Sequence, residues 1–133
     1  MVKYEPKHLL AIDLKEIHQG ERPNLIMTTA LTFMIEEEVV AIVGGFLFVP
    51  GVLHIWGLMS ESIRKAPISF HKTVLDVLKF YEEHEKLRRI QVEVRETYLE
   101  GQRWIKSLGF HQEGIMKNYG SDGATHILFA RYS

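Results

Sequence analysis

RIQVEVRETYLEGQRWIKSLGFHQEG, residues 89–114, is the stretch on which the fold turns. From Arg89 to Arg95 apolar Ile90, Val92 and Val94 alternate with polar Gln91, Glu93 and Arg95, the period-2 signature of a strand with one buried face. Thr97, with Glu100 three residues on, reads as a capping box. Tyr98, Gly101, Ile105 and Leu108 then fall on one stripe of the helix it opens. Gly109 stands where a left-handed residue ends a helix, and Phe110 to Tyr119 reads as the next strand. The run Gly120-Ser121-Asp122-Gly123 turns the chain into a last strand, Thr125 to Tyr132, which closes a terminal hairpin.

Working outward toward the N-terminus, Pro67 suits the first turn of a helix, and Phe70, Val74, Val77, Leu78 and Tyr81 recur on one face of it to about Glu85. Pro50-Gly51 is a turn, and Val52 to Met59 is a strand after it. A helix therefore joins that strand to the one at Ile90, which predicts a parallel pair with a right-handed crossover. Met27 to Ile35 and Val39 to Val49 read as an antiparallel hairpin around Glu36, Glu37 and Glu38, and Gly44-Gly45 inside it suggests a bulge or a close backbone approach. The first 24 residues are weakly patterned: Leu9, Leu10, Ile12, Leu14 and Ile17 suit a short strand or a helix, and residues 20–24 a loop. The expected class is α/β of the mixed kind, a mixed sheet with helices on both faces. We divide a single domain into a reduced N-terminal region (1–24), a three-strand meander (25–59), a crossover (60–95) and a C-terminal helix with hairpin (96–133).

Composition removes several functions. At 133 residues, 46% hydrophobic and 25% charged, the chain fits one globular domain and leaves no room for a second. It has no cysteine, which excludes disulfides, thiolate metal ligands and a thiol nucleophile. A net charge of -1 supplies no global field for nucleic acid or an anionic membrane. No segment has the roughly 20 apolar residues of a membrane span, and the N-terminus carries Lys3, Glu5 and Lys7 where a secretory signal would be apolar. The reading is a cytoplasmic protein. The seven histidines show no helical i, i+4 pair, so no metal is expected.

The chemistry is expected where the parallel pair meets a helix start, because free N–H groups there favour anions. Ser60-Glu61-Ser62-Ile63-Arg64-Lys65-Ala66-Pro67-Ile68-Ser69 combines two cations, small residues and a helix entrance. The alternative is a solvated loop whose Arg-Lys pair does nothing. His54 and Glu93, on strands flanking that place, are the candidate bases. On alternation alone His54 shares a face with Trp56 and Leu58, and Glu93 lies opposite Ile90, Val92 and Val94. A structural histidine in an apolar strand is the competing reading of His54.

Residues 89–132, above all GQRWIKSLGFHQEG at 101–114, resemble the C-terminal half of the GNAT superfamily of acetyl-CoA-dependent N-acetyltransferases. In that family a strand leads into a helix ending in Gly-Phe, then a strand that often begins Glu-Gly. The resemblance covers about four-fifths of the chain, and the Pro50 to Trp56 pattern is similar to short bacteriophage or prophage GNAT-like proteins. It implies acetyl-CoA or a related acyl-CoA lying between the parallel strands, with main-chain groups near Leu58, Met59 and Ser60 pairing to its pantetheine arm. It also implies a pyrophosphate loop at Arg64, Lys65, Ala66, Ile68 and Ser69, in which Pro67 and Ser69 stand where the family has glycines. The family's usual acid, a tyrosine four residues before the Gly-Phe glycine, is Ile105 here. Tyr98 aligns with a residue that touches the cofactor arm, and Tyr98 and Tyr119 are the candidate acids; Tyr98 equally suits packing on the helix face. The implied partner is an amine acceptor, open to macromolecules because the N-terminus is short. The alternatives are a catalytically degenerate structural or interaction protein, and a binding module that pairs through sheet edges, as in a homodimer.

Overall fold

The computed structural model describes residues 2–3, 29–60 and 67–132. The readings of residues 4–28, including Met27 and Thr28 at the first strand's start, and of Arg64, Lys65 and Ala66 lie outside them. The elements are β1 (Val2–Lys3), β2 (Thr29–Ile35), β3 (Glu38–Val49), β4 (Val52–Met59), α1 (Pro67–His84), β5 (Arg89–Arg95), α2 (Leu99–Ser107), β6 (His111–Met116) and β7 (His126–Tyr132). They form two compact units, residues 1–46 with 55–78 and residues 47–54 with 79–133. Among the described residues no helix is long and apolar enough to cross a membrane.

In the first unit the strand order is β1-β2-β3-β4. A two-residue turn joins β2 to β3, with Glu36 at φ 48° and Glu37 at φ 69°. Two left-handed residues match the right-handed twist of a hairpin, although glutamate adopts that conformation at a cost. Of the two options at Gly44-Gly45, a bulge or a close backbone approach, the bulge forms elsewhere. Those glycines pair regularly with Ala30 and Thr29, whereas the register steps from Phe33↔Ala41 to Met34↔Val39 and leaves Val40 as the extra residue. Val40 instead offers its carbonyl to the Ser60 N–H at 2.9 Å. Phe33, Val39, Val40, Ala41, Ile42, Leu58, Phe70, Val74 and Leu78 are buried, and Phe33 meets Phe70 edge-on at 5.0 Å. Each such side chain contributes about 1.5–3 kcal/mol on leaving water, and three of them are the stripe that made α1 legible.

In the second unit the strand order is β4-β5-β7-β6. Here β4 contributes Val52, Leu53 and His54, paired in parallel with Arg89, Ile90 and Gln91. This is the expected parallel pair. β5 lies antiparallel to β7 from Arg89↔Tyr132 to Arg95↔His126, and β6 pairs with β7 through a bulge between Gln112 and Gly114. Gly51 is held at φ +84°, and a Cβ there would lie 2.1 Å from the Arg88 guanidinium, which donates to the Pro50 carbonyl at 2.8 Å. Val52, Ile90, Val92, Val94, Ile105, Leu108, Phe110, Ile127 and Phe129 are buried.

The capping box is not formed. Tyr98, not Thr97, is the N-cap of α2, and its side chain makes no cap hydrogen bond. The corner is fixed differently. Gln102 Nε2 reaches back to the Arg95 and Glu96 carbonyls at 3.2 and 2.7 Å, and the Tyr98 ring lies over Gly101, where a Cβ would be 2.5 Å from it. Gly109 ends the helix at φ +92° as expected. Arg131 secures that end by donating to the Leu108 carbonyl at 2.6 Å and gripping Glu82 through two bonds of 3.1 and 3.0 Å. β6 stops at Met116, three residues short of Tyr119, because the left-handed Asn118 (φ 57°) has begun the turn.

Candidate active site

The polar face of β5 carries Arg89, Gln91, Glu93 and Arg95, opposite the buried Ile90, Val92 and Val94. Its antiparallel register places Tyr132, Ala130, Leu128 and His126 of β7 directly across from them, and residues paired in this way share a face. His54 projects onto the same face. Its Nε2 lies against Glu93 Oε2, and its Nδ1 lies 3.2 Å from Gln91 Nε2. The two candidate bases, placed on separate strands by the sequence, are therefore one cluster. His54 is 8% exposed, and Glu93 is half-buried, so the contact between them is largely shielded from water.

An outer layer holds this cluster. Gln91 Oε1 accepts from Arg89 Nε at 2.8 Å, and the Arg89 guanidinium grips the Glu113 carboxylate with bonds of 3.1 and 2.5 Å. Glu113 is the residue at the β6 bulge, a feature that re-aims a side chain. Hydrogen bonding between the two holds the Glu113 carboxyl below the usual carboxylate range and raises the Arg89 guanidinium. Sequence reasoning missed Gln91, Arg89 and Glu113. The polar period-2 series at 89, 91 and 93 was the available signal.

Tyr119, in the turn between β6 and β7, has its ring 5.4 Å from the His126 ring. Burial, and secondarily the negative charge of Glu93, raises its phenol above the ordinary value of 10.0. It therefore keeps its proton near neutral pH and has one to donate. The turn is pinned by Asp122, whose carboxylate accepts from the Ala124 N–H at 3.1 Å and from Arg95 at 3.0 Å; those bonds hold the carboxyl below its usual range. Tyr98 packs on Gly101 at the mouth of α2. Ile105, at the position of the family's acid, is a buried apolar side chain.

The residues expected against an acyl-CoA arm lie in the first unit: Leu58 and Met59 on β4, Ser60 just after it, and Ile68 and Ser69 on α1. The Ser60 N–H is directed at Val40. By the alternation of a strand, Met59 and Gly57 then turn their main-chain groups away from β3, whereas Leu58 is fully buried. Ile68 and Ser69 are exposed at the start of α1, whose first turn has no acidic residue. Pro67 lacks an N–H, but the next amides are the orphan donors of a helix start. Strand main-chain groups that face away from β3, and a helix first turn free of acidic residues, fit a pantetheine amide and a pyrophosphate in kind. Among the described residues no group of three His, Asp or Glu side chains is arranged to hold a metal.

No protein-family profile and no curated protein sequence matches the chain. Solved structures do. It superposes on Ard1 from Thermoplasma volcanium with a TM-score of 0.78 at 16% identity, over 98% of this chain and 94% of that one. A GNAT-family acetyltransferase from Bacillus anthracis gives 0.73 at 16% identity, over 98% and 92%. RimL, a ribosomal L7/L12 α-N-protein acetyltransferase in complex with coenzyme A, gives 0.74 at 14%, over 98% and 92%. The fold is that of the GNAT acetyltransferases.

Proposed function

We propose that this chain is an acyl-CoA-dependent N-acyltransferase that passes an acetyl group directly to an amine. The observation that carries the reading is the His54–Glu93 contact on the polar face of β5, in a fold whose solved examples include acetyltransferases. Acetyl-CoA supplies the acyl group as a thioester, the amine nitrogen taking the carbonyl carbon as the C–S bond breaks. Glu93 accepts the proton that the amine must lose, and His54 holds its carboxylate in place. Tyr119, whose phenol holds its proton near neutral pH, returns a proton to the leaving sulfur. Main-chain groups of Met59 bind the pantetheine arm, and the amides of Ile68 and Ser69, with Arg64, Lys65 and Ala66 before them, bind the pyrophosphate.

A second reading is favoured by Ile105 and Pro67: a protein that keeps the fold and has lost its chemistry, such as a structural or interaction component of phage or prophage origin. The buried Ile105 cannot donate a proton, and Pro67 removes an amide from the anion site. Calorimetry with acetyl-CoA and CoA, together with thiol release over a panel of amines, separates the two. Saturable binding with turnover supports the transferase. Binding without turnover supports the degenerate protein, and no heat at millimolar ligand rules out acyl-CoA for both.

A further inference from the structure

The five side chains Glu113, Arg89, Gln91, His54 and Glu93 form a continuous series of contacts running from the β6 bulge to the candidate base. Its direction follows from elementary donor chemistry. A guanidinium only donates, so the Gln91 group that receives Arg89 Nε must be the carbonyl Oε1. The remaining Gln91 group, the amide NH2, is then the one that faces His54 Nδ1, and it too only donates. Nδ1 must therefore present its lone pair, which puts the proton of the neutral imidazole on Nε2. Nε2 is the ring nitrogen that lies beside Glu93 Oε2. Arg89 in turn cannot rotate freely, because the bulge-borne Glu113 holds its other two nitrogens.

The geometry points to Gln91 as a positioning residue that fixes His54 in its Nε2–H tautomer, with Arg89 and Glu113 as the anchor that fixes Gln91. The consequence is a division of labour that residue types alone would not give. With Nδ1 occupied by an amide hydrogen and Nε2 already protonated, the neutral imidazole has no lone pair to offer an incoming amine. Glu93 is the base, and His54 is the side chain packed against its carboxylate. The assignment rests on the acyltransferase reading only for what Glu93 does; the tautomer stands on the second unit's own contacts. The other titratable or charged groups that the described residues place on or against this face are Arg95 on β5, Tyr132 and His126 on β7, His111 on β6, and Tyr119 and Asp122 in the turn.

Nitrogen NMR of protein labelled at histidine, with the His54 signals identified by their loss in H54N, reads the tautomer without any substrate. The native protein is expected to show an unprotonated Nδ1 and a protonated Nε2. A proton on Nδ1 of the neutral ring would overturn the assignment. In Gln91→Glu the new carboxylate can only accept, so Nδ1 is expected to gain a proton. In Gln91→Leu the constraint is lost, and both tautomers are expected. A Gln91 that merely packs would lower thermal stability in these variants and leave the tautomer unchanged, which also refutes the proposal. Should Gln91→Leu fail to fold, Arg89→Lys offers a second route, since it keeps the charge but disturbs the fork, and a mixed tautomer is expected there. In thiol-release assays Gln91→Leu is expected to lower kcat on the order of tenfold without changing KM for acetyl-CoA, as outer-layer partners typically do. An inactive native protein with the tautomer as assigned would count against the transferase reading and for the positioning.

Discussion

Replacing Glu82 by alanine tests how the chain secures the helix end that gives the Gly109-Phe110 signature its shape. Arg131 makes two bonds to Glu82 and one, at 2.6 Å, to the Leu108 carbonyl. The side chains are 18% and 24% exposed, so the pair is mostly withdrawn from water. Losing one partner of a fully buried pair costs about 3–5 kcal/mol, because the other charge is left uncompensated. About a fifth of each surface remains wet here, and water recovers part of that cost, so about 2–3 kcal/mol is expected. For a domain of this size that corresponds to a fall in Tm of roughly 8–12 °C. Urea unfolding followed by circular dichroism gives the free energy. Arg131→Met combined with Glu82→Leu should recover most of the loss, since an apolar pair of similar volume leaves no buried charge. A single-variant loss below about 0.5 kcal/mol would show that Arg131 finds equivalent partners elsewhere, and the reasoning would fail.

Other perturbations have equally definite outcomes. Glu37→Gly relieves a non-glycine residue at φ 69° and should stabilise the protein by about 1 kcal/mol, seen as a higher denaturation midpoint. Gly101→Ala puts a Cβ 2.5 Å from the Tyr98 ring and should destabilise by about 1–3 kcal/mol, with Tyr98→Ala in the same chain restoring part of the loss. Because the Tyr119 phenol is raised in the folded state, its contribution is present below the ordinary value of 10.0 and is lost as pH climbs through the raised value; Tyr119→Phe should flatten the alkaline limb of the stability profile. The depressed Asp122 carboxyl has the opposite sign. Its contribution is present above the usual carboxylate range and lost as pH falls through the lowered value, so Asp122→Asn should flatten the acid limb.

Much of the fold was legible because local pattern and tertiary packing agree. The bounds of β4 and β5, the apolar stripe of α1 at Phe70, Val74 and Leu78, and the left-handed Gly109 all follow from period and turn chemistry within a few residues. The errors came where a non-local contact chose between local options. The bulge formed at Val40, whose carbonyl takes the Ser60 N–H, and not at the glycines that merely permit one. The α2 start was fixed by Gln102 and by the Tyr98 ring over Gly101, which displaced the Thr97 cap.

The site follows the same rule. His54 and Glu93 were identifiable as residues, but alternation within each strand carries no information about the register between β4 and β5. Only that register shows that the two share a face. Gln91 looked like an ordinary exposed strand residue until Arg89 on one side and His54 on the other gave both ends of its amide a partner.

The central claim is that Glu93 takes the proton from an amine attacking an acyl-CoA thioester. Its most direct test is the rate of thiol release from acetyl-CoA by native protein and by Glu93→Gln, over a panel of amines, with acetyl-CoA affinity measured in parallel. With Glu93 as the base, the native protein turns over, the variant loses about 10²–10⁴-fold in kcat, and acetyl-CoA binding is unchanged. Equal rates in the two proteins would contradict it.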